Sequence, residues 1–150
     1  MGPQSMQTCQ VRFEGYKHGL QANNIPFDSD LIKTADFNKK TIEKAMMELM
    51  KLKSPPTGIF AFKNYIALDV IRFLKSKFPQ QLHAIDITGF GNLPSLKYLD
   101  HKPKASVEED SLEMGKQAAK LLFQMINEEM NMESEKPQNI QIPCKLVVHK

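Results

Sequence analysis

Two cysteines are all the chain has, Cys9 and Cys144, and they lie far apart. Without a secretory context this pair reads as reduced thiols and not as a disulfide framework. The four histidines (18, 83, 101 and 149) are scattered, none at metal-ligand spacing from a cysteine or from another histidine, so a zinc site is not expected. No apolar run approaches the length that spans a bilayer. No basic stretch leading into an apolar one opens the sequence, so no secretory signal is visible. Met1-Gly2 invites a myristoylation reading, but that motif wants Ser or Thr where the chain has Met6. Catalytic patterns are missing as well: there is no G-x-S-x-G, no cysteine paired with a plausible histidine, and no recognisable carboxylate pair among Asp36, Asp69, Asp86 and Asp110. An enzyme is not expected, and neither is a cofactor.

What is present suits one ordinary domain. The chain has 150 residues, 41% hydrophobic and 25% charged, a soluble globular composition. The net charge of +3 is mild. Lysines sit in small groups beside apolar segments and read as a solvated surface. No helix-turn-helix pattern appears, so this stretch alone should not read DNA.

The periodicity alternates between helices and short apolar runs. Residues 7 to 23 repeat apolar or small residues at Val11, Gly15, Gly19 or Leu20, and Ala22, with glycines where another element may pack closely. Asn23-Asn24-Ile25-Pro26 stops that helix. "DLIKTA" (30 to 35) reads as a short strand. Asn38 caps a helix with Ile42, Ala45, Met46, Leu49 and Met50 inward, the methionines serving as adaptable core filler. "TGIFAF" (57 to 62) is a continuous apolar run, expected of a strand buried on both faces. Asn64 then caps a helix with Ala67, Val70, Ile71, Leu74 and Phe78 inward, stopped by Pro79. "AIDITGF" is a second buried strand, and an irregular loop over 91 to 104 follows. "ASVEED" is extended. Residues 111 to 129 form a helix with Leu112, Gly115, Ala119, Leu122 and Ile126 on one face, and a polar linker leads to two short strands around Pro143. This alternation argues for an α/β fold with a mainly parallel sheet.

Gly89-Phe90-Gly91 ends the second strand and looks like the start of a nucleotide loop. A dinucleotide fingerprint needs a third glycine running into a helix, because the helix N-terminus holds the pyrophosphate. Here that place is Pro94, and "SLKYLDHKP" is no amphipathic helix. A strand end leading into a ligand-facing or interface loop is the better expectation.

Five stretches, in order, resemble the effector-binding region of the lactose-repressor/galactose-repressor (LacI/GalR) family of bacterial transcription regulators. "GPQSMQTCQVRFEGY" resembles the family's Gly-Pro loop and the helix carrying Arg-x-x-Gly-aromatic. "TGIFAFKNYIALDVIRFL" resembles its strand "(P)TAIFAxND" and the helix after it. "DITGFGN" resembles "DISVVGFDD" or "DN", "PKASVEEDSLEMGKQAAKLL" resembles "PxLTTVxQPxxxMGxxAAxLL", and "IQIPCKLVVHK" resembles the closing "xxLPxxLVxRxS". The spacing from Pro3 to Arg12 also fits the family, which favours Met1-Gly2-Pro3 as natural sequence.

The resemblance implies a type I periplasmic-binding-protein-like lobe, incomplete relative to the family. Residues 1–107 would be the C-terminal lobe without its first strand. Residues 108–137 would be a crossover and a helix belonging to the first lobe, and 138–150 the closing strands. A lobe lacking its leading strand should be marginally stable or self-associating, and the helix face at 111 to 129 should be partly exposed.

It also implies a cytoplasmic sensor of a small molecule, most often a sugar, controlling DNA binding allosterically. DNA would be reached only through a helix-turn-helix domain not in this chain, the full protein would be a homodimer, and no membrane is involved. A transport binding protein of the periplasm shares the fold and is the alternative, as is a truncated scaffold that binds nothing. The residue matches give Arg12 as the clamp on the ligand, Thr8 as a hydroxyl donor and Phe37 as a stacking ring. Lys63 and Asn64 stand where the family has Asn-Asp, Asn92 follows the position of its Asp, and Glu109 stands where glutamine is frequent. Leu96, Tyr98 and Leu99 are candidates for the dimer contact.

Overall fold

The computed structural model describes residues 2, 5–127 and 139–149. Its described strands form one four-stranded sheet in the order β1 (Gly58–Ala61), β2 (Asp86–Phe90), β3 (Ala105–Glu108) and β4 (Lys145–Val148). The first three are parallel, in register Gly58 to Asp86 and Thr88 to Ala105, and β4 runs antiparallel to β3, pairing Val148 with Ala105. The helices are α1 (Gln7–Ala22), α2 (Lys39–Met50), α3 (Asn64–Lys77) and α4 (Ser111–Asn127). This is the α/β, mainly parallel arrangement that the alternating pattern implies.

The core forms where α2 and α3 lay their apolar stripes together and against the sheet. From α2 come Ile42, Met46, Leu49 and Met50, and from α3 Ile66, Ala67, Val70, Ile71, Phe73 and Leu74. The stripe spacing of three and four residues is what puts them on one side of each helix. Asn38 caps α2 by accepting the Lys40 N–H at 2.9 Å. Asn64 is not the cap of α3. Lys63 holds that position without any side-chain hydrogen bond, and Asn64 is the first helical residue.

Four expectations need correction. Residues 30 to 35 are not a strand: Ser29–Leu31 makes a single 3₁₀ turn, and the extended chain after it pairs with no sheet strand. A strand exists only through its neighbour. Here residues 31–35 and β1 face the two sides of an apolar slot of about 150 Å³, floored by α2 and α3 residues such as Ile42, Met46, Ile66 and Val70. For the same reason β1 is not buried on both faces. It is the sheet edge, and Phe60 is exposed.

The chain before Pro143 forms no second closing strand, because 139–144 has no strand beside it and Pro143 has no N–H to offer. Finally, α1 does not pack through Val11, Gly15 and Gly19. Val11 is exposed and neither glycine has an atom within 4 Å of a would-be Cβ. Its inward residues are Cys9, Arg12, Phe13 and Tyr16. Cys9 lies buried beside Phe62 and Gly2, Cys144 is exposed, and both thiols are free.

The end of α1 follows the expected rule. The Asn23 amide donates to the Gly19 carbonyl at 2.8 Å, and Asn24 takes a left-handed φ of 55°. Helix α4 buries none of its described side chains, and Leu112, Leu122 and Ile126 are exposed along the stripe the periodicity marks. Residues 128–138, which include the end of the expected helix and the polar linker, lie outside the described residues. No described helix is long and apolar enough to cross a membrane.

Candidate functional site

The carboxyl ends of β1, β2 and β3 point the same way, and a recess of about 350 Å³ opens beside them. That is where ligands sit in open parallel sheets, because the strand ends leave loops and helix starts free to shape a site. Lys63, Asn64 and Tyr65 reach it from the β1–α3 junction, Phe90 and Gly91 from the end of β2, and Glu109 from just beyond β3. Arg12 comes in from α1 and Phe37 from the turn before α2.

Arg12 is the best-anchored of these groups. Its Nη1 donates to the Phe62 carbonyl at 2.9 Å, and its Nη2 lies 3.3 Å from Glu109 Oε1. The guanidinium also lies over Phe90, with its carbon 3.4 Å from the ring centroid, and 4.9 Å from that of Phe62. A planar fork held this way keeps further N–H donors fixed in direction, which suits a partner carrying paired hydroxyls or a carboxylate. Burial pulls the Arg12 pKa down from its ordinary value, and the Glu109 carboxylate opposes that.

Phe37 is positioned by the turn that precedes it. Asp36 accepts the Asn38 N–H at 2.9 Å and the Thr41 hydroxyl, and these bonds hold its own pKa below the usual carboxylate value, the hydroxyl contributing most. The Phe37 ring is left 54% exposed over the recess, so it is not a core residue. The glycine question also resolves. A Cβ on Gly89 would come 3.1 Å from that of Ala67, so this glycine lets β2 approach α3. Gly91 has φ +101°, with its N–H on the Val107 carbonyl at 2.8 Å, and it packs on the Asn64 amide. One glycine serves close packing and the other a turn.

The candidates therefore divide. Arg12, Phe37, Lys63, Asn64 and Glu109 all line the recess. Thr8 is exposed one turn before Arg12 and does not line it. Asn92 donates to Glu108 at 3.1 Å instead of lining the recess. Tyr65 and Phe90 line it and escaped the sequence reading. Phe90 closes β2 and Tyr65 lies in the first turn of α3, so an aromatic residue beside a strand's carboxyl end was the signal available. Among the dimer candidates Leu96 is only 3% exposed: it closes its own 3₁₀ turn (Pro94–Tyr98) inward and cannot be a partner contact. Tyr98 and Leu99 are exposed. No group of three or more potential metal ligands occurs among the described residues.

Comparison with known proteins decides the family. The model of the periplasmic binding protein-like domain matches residues 1–150. The chain belongs to the LacI family of regulators, in its effector domain. The HTH-type transcriptional repressor CytR of Escherichia coli (strain K12) is 30% identical over 122 residues, 81% of this chain and 36% of the repressor. The chain thus spans about a third of that relative's length. A solved putative LacI transcriptional regulator from Bacillus cereus subsp. cytotoxis superposes with a TM-score of 0.80 at 27% identity, covering 98% of this chain and 50% of that one. A LacI family regulator from Enterococcus faecium with bound ribose superposes with a TM-score of 0.71 at 25% identity, covering 92% and 49%. These relatives are transcription regulators.

Proposed function

We propose that this LacI-family effector lobe binds a sugar-like small molecule in the recess at the strand ends and passes its occupancy on to DNA binding. Carrying this reading is Arg12, a guanidinium fixed over Phe90 and bonded to a backbone carbonyl at the one place in a parallel sheet where ligands gather. The open rings of Phe37 and Tyr65 offer apolar faces to a sugar's C–H surface, and Arg12, Asn64 and Glu109 offer donors and acceptors to its hydroxyls. The ribose held by the Enterococcus faecium relative supports a sugar.

In the whole protein the regulator is cytoplasmic and dimeric, with DNA contacted by a helix-turn-helix domain outside this chain. Residues 1–107 and 138–150 belong to the C-terminal lobe. Residues 108–137 cross to the first lobe, where the exposed stripe of α4 finds its cover. The ligand bridges the lobes and acts by differential affinity for two lobe arrangements.

The test is thermal melting against pentoses, hexoses and nucleosides, with wild type beside Arg12→Met. A ligand that binds only the folded chain raises the midpoint by mass action. One compound should raise it for wild type and leave the variant unmoved. An equal rise in both would remove Arg12 from the site, and no rise with any compound would refute binding by this lobe.

A further inference from the structure

The charges around the recess do not balance. Its charged lining consists of Arg12, Lys63 and Glu109. Glu109 is paired with Arg12. The Lys63 carbonyl accepts the Ala67 N–H at 3.1 Å, but its ammonium has no hydrogen bond or ion pair from any described residue. The carboxylates next along the chain, Asp36, Glu108 and Asp110, do not line the recess, and each accepts a hydrogen bond elsewhere, from Asn38 and Thr41, from Asn92 and from the Glu113 N–H. The recess therefore carries one half-buried ammonium in excess.

Lys63 also stands where local stability disfavours it. It is the N-cap of α3 and caps nothing, where Ser, Thr, Asp or Asn would accept an orphan N–H. A cation there faces the positive end of the helix dipole, and the first turn of α3 has no acidic residue to offset it. A position that breaks the capping and dipole rules together, while lining the site, is the usual mark of a residue kept for a ligand.

We infer that the effector is an anionic sugar, phosphorylated or carboxylated, whose negative group is held by Lys63 while Arg12, Phe37 and Tyr65 hold the ring. This rests on the reading of the recess as the effector site.

The experiment measures affinity by calorimetry for matched sets: glucose, glucose 6-phosphate and glucuronate; ribose and ribose 5-phosphate; and inorganic phosphate alone. It uses the 150-residue chain and its Lys63→Gln, Lys63→Arg and Lys63→Ser variants. An anionic member should bind at least about tenfold more tightly than its neutral parent, the scale of one charge-assisted contact. That ratio should collapse towards one in Lys63→Gln and persist in Lys63→Arg. Lys63→Ser should lose the preference while melting higher than wild type, because it restores a cap. Whether the phosphate or the carboxylate is preferred names the source of the charge.

A neutral sugar binding as tightly as its anionic partner would overturn the inference and leave the effector site standing. So would a preference unchanged in Lys63→Gln. Inorganic phosphate binding as tightly as the sugar phosphates would overturn it by showing a bare anion site. No binding by any compound would overturn the effector site and the inference together.

Discussion

Replacing Gly91 with alanine tests the turn that shapes the recess. At φ +101° a side chain strains the backbone, which costs on the order of 1–2 kcal/mol. The new Cβ would also lie 2.7 Å from Asn64 Nδ2 and 3.1 Å from its Cγ, closer than atoms pack. The Asn64 amide must swing away, and it then gives up the Tyr65 N–H that its oxygen accepts at 2.7 Å. A bond of that kind is worth about 1 kcal/mol. Together Gly91→Ala should cost about 2–3 kcal/mol, a fall of roughly 1 M in the urea midpoint. The backbone and contact parts can be separated. In an Asn64→Ala background the two closest atoms are gone, and the remaining Cβ stands at 3.5 Å, an ordinary contact. There the cost should drop to the backbone part, leaving a coupling of about 1 kcal/mol in the double-mutant cycle. A cost below about 0.5 kcal/mol for Gly91→Ala, or no coupling to Asn64, would refute the reasoning.

Leu74 is fully buried between α3 and the core, so Leu74→Ala should lower unfolding free energy by about 3 kcal/mol in urea titration. His101 packs edge-on to His83 with ring centroids 5.3 Å apart, and burial first, then His83 and Lys75, hold its pKa below 6.5. A lowered folded pKa means the unfolded chain binds the extra proton. Stability should therefore be full above the unfolded value and fall as pH drops through the folded one. A denaturation series from pH 8 to 5 should show that loss, and His101→Gln should flatten it. The exposed stripe of α4 and the open edge of β1 should make the chain self-associate. Sedimentation velocity should show species growing with concentration, and Leu122→Lys with Ile126→Lys should reduce them. A concentration-independent monomer would contradict the exposure argument.

The parallel sheet was legible because its strands read as short apolar runs between helices of clear period, as "AIDITGF" does between α3 and the 91–104 loop. Segment 30 to 35 carries a similar signal, yet pairing is a property of neighbours and not of the segment, and the slot beside β1 leaves it unpaired. Helix α1 misled for another reason. Its inward side mixes a cysteine, an arginine and two aromatics, so apolar spacing pointed to Val11 and the glycines instead. The recess was legible mainly through the family resemblance, which picked out Arg12, Phe37, Lys63, Asn64 and Glu109 from distant stretches. Tyr65 and Phe90 needed the structure, because whether an aromatic faces a core or a cleft depends on what folds over it.

The mooring of α1 sets an order of opening. Only Cys9 of its sixteen residues is buried, whereas α3 buries six. What ties α1 down beyond Cys9 is largely Arg12, through Phe62, Phe90 and Glu109, with Phe13 edge-on to Phe27. Local opening free energies follow buried apolar contact, so amides of α1 should exchange with deuterium through a partial unfolding that leaves α3 and β2 intact. The helix that carries Arg12 is then less protected than α3 and β2. A bound effector would register first as slowed exchange along Gln7–Ala22, before any change in the global melting of the core.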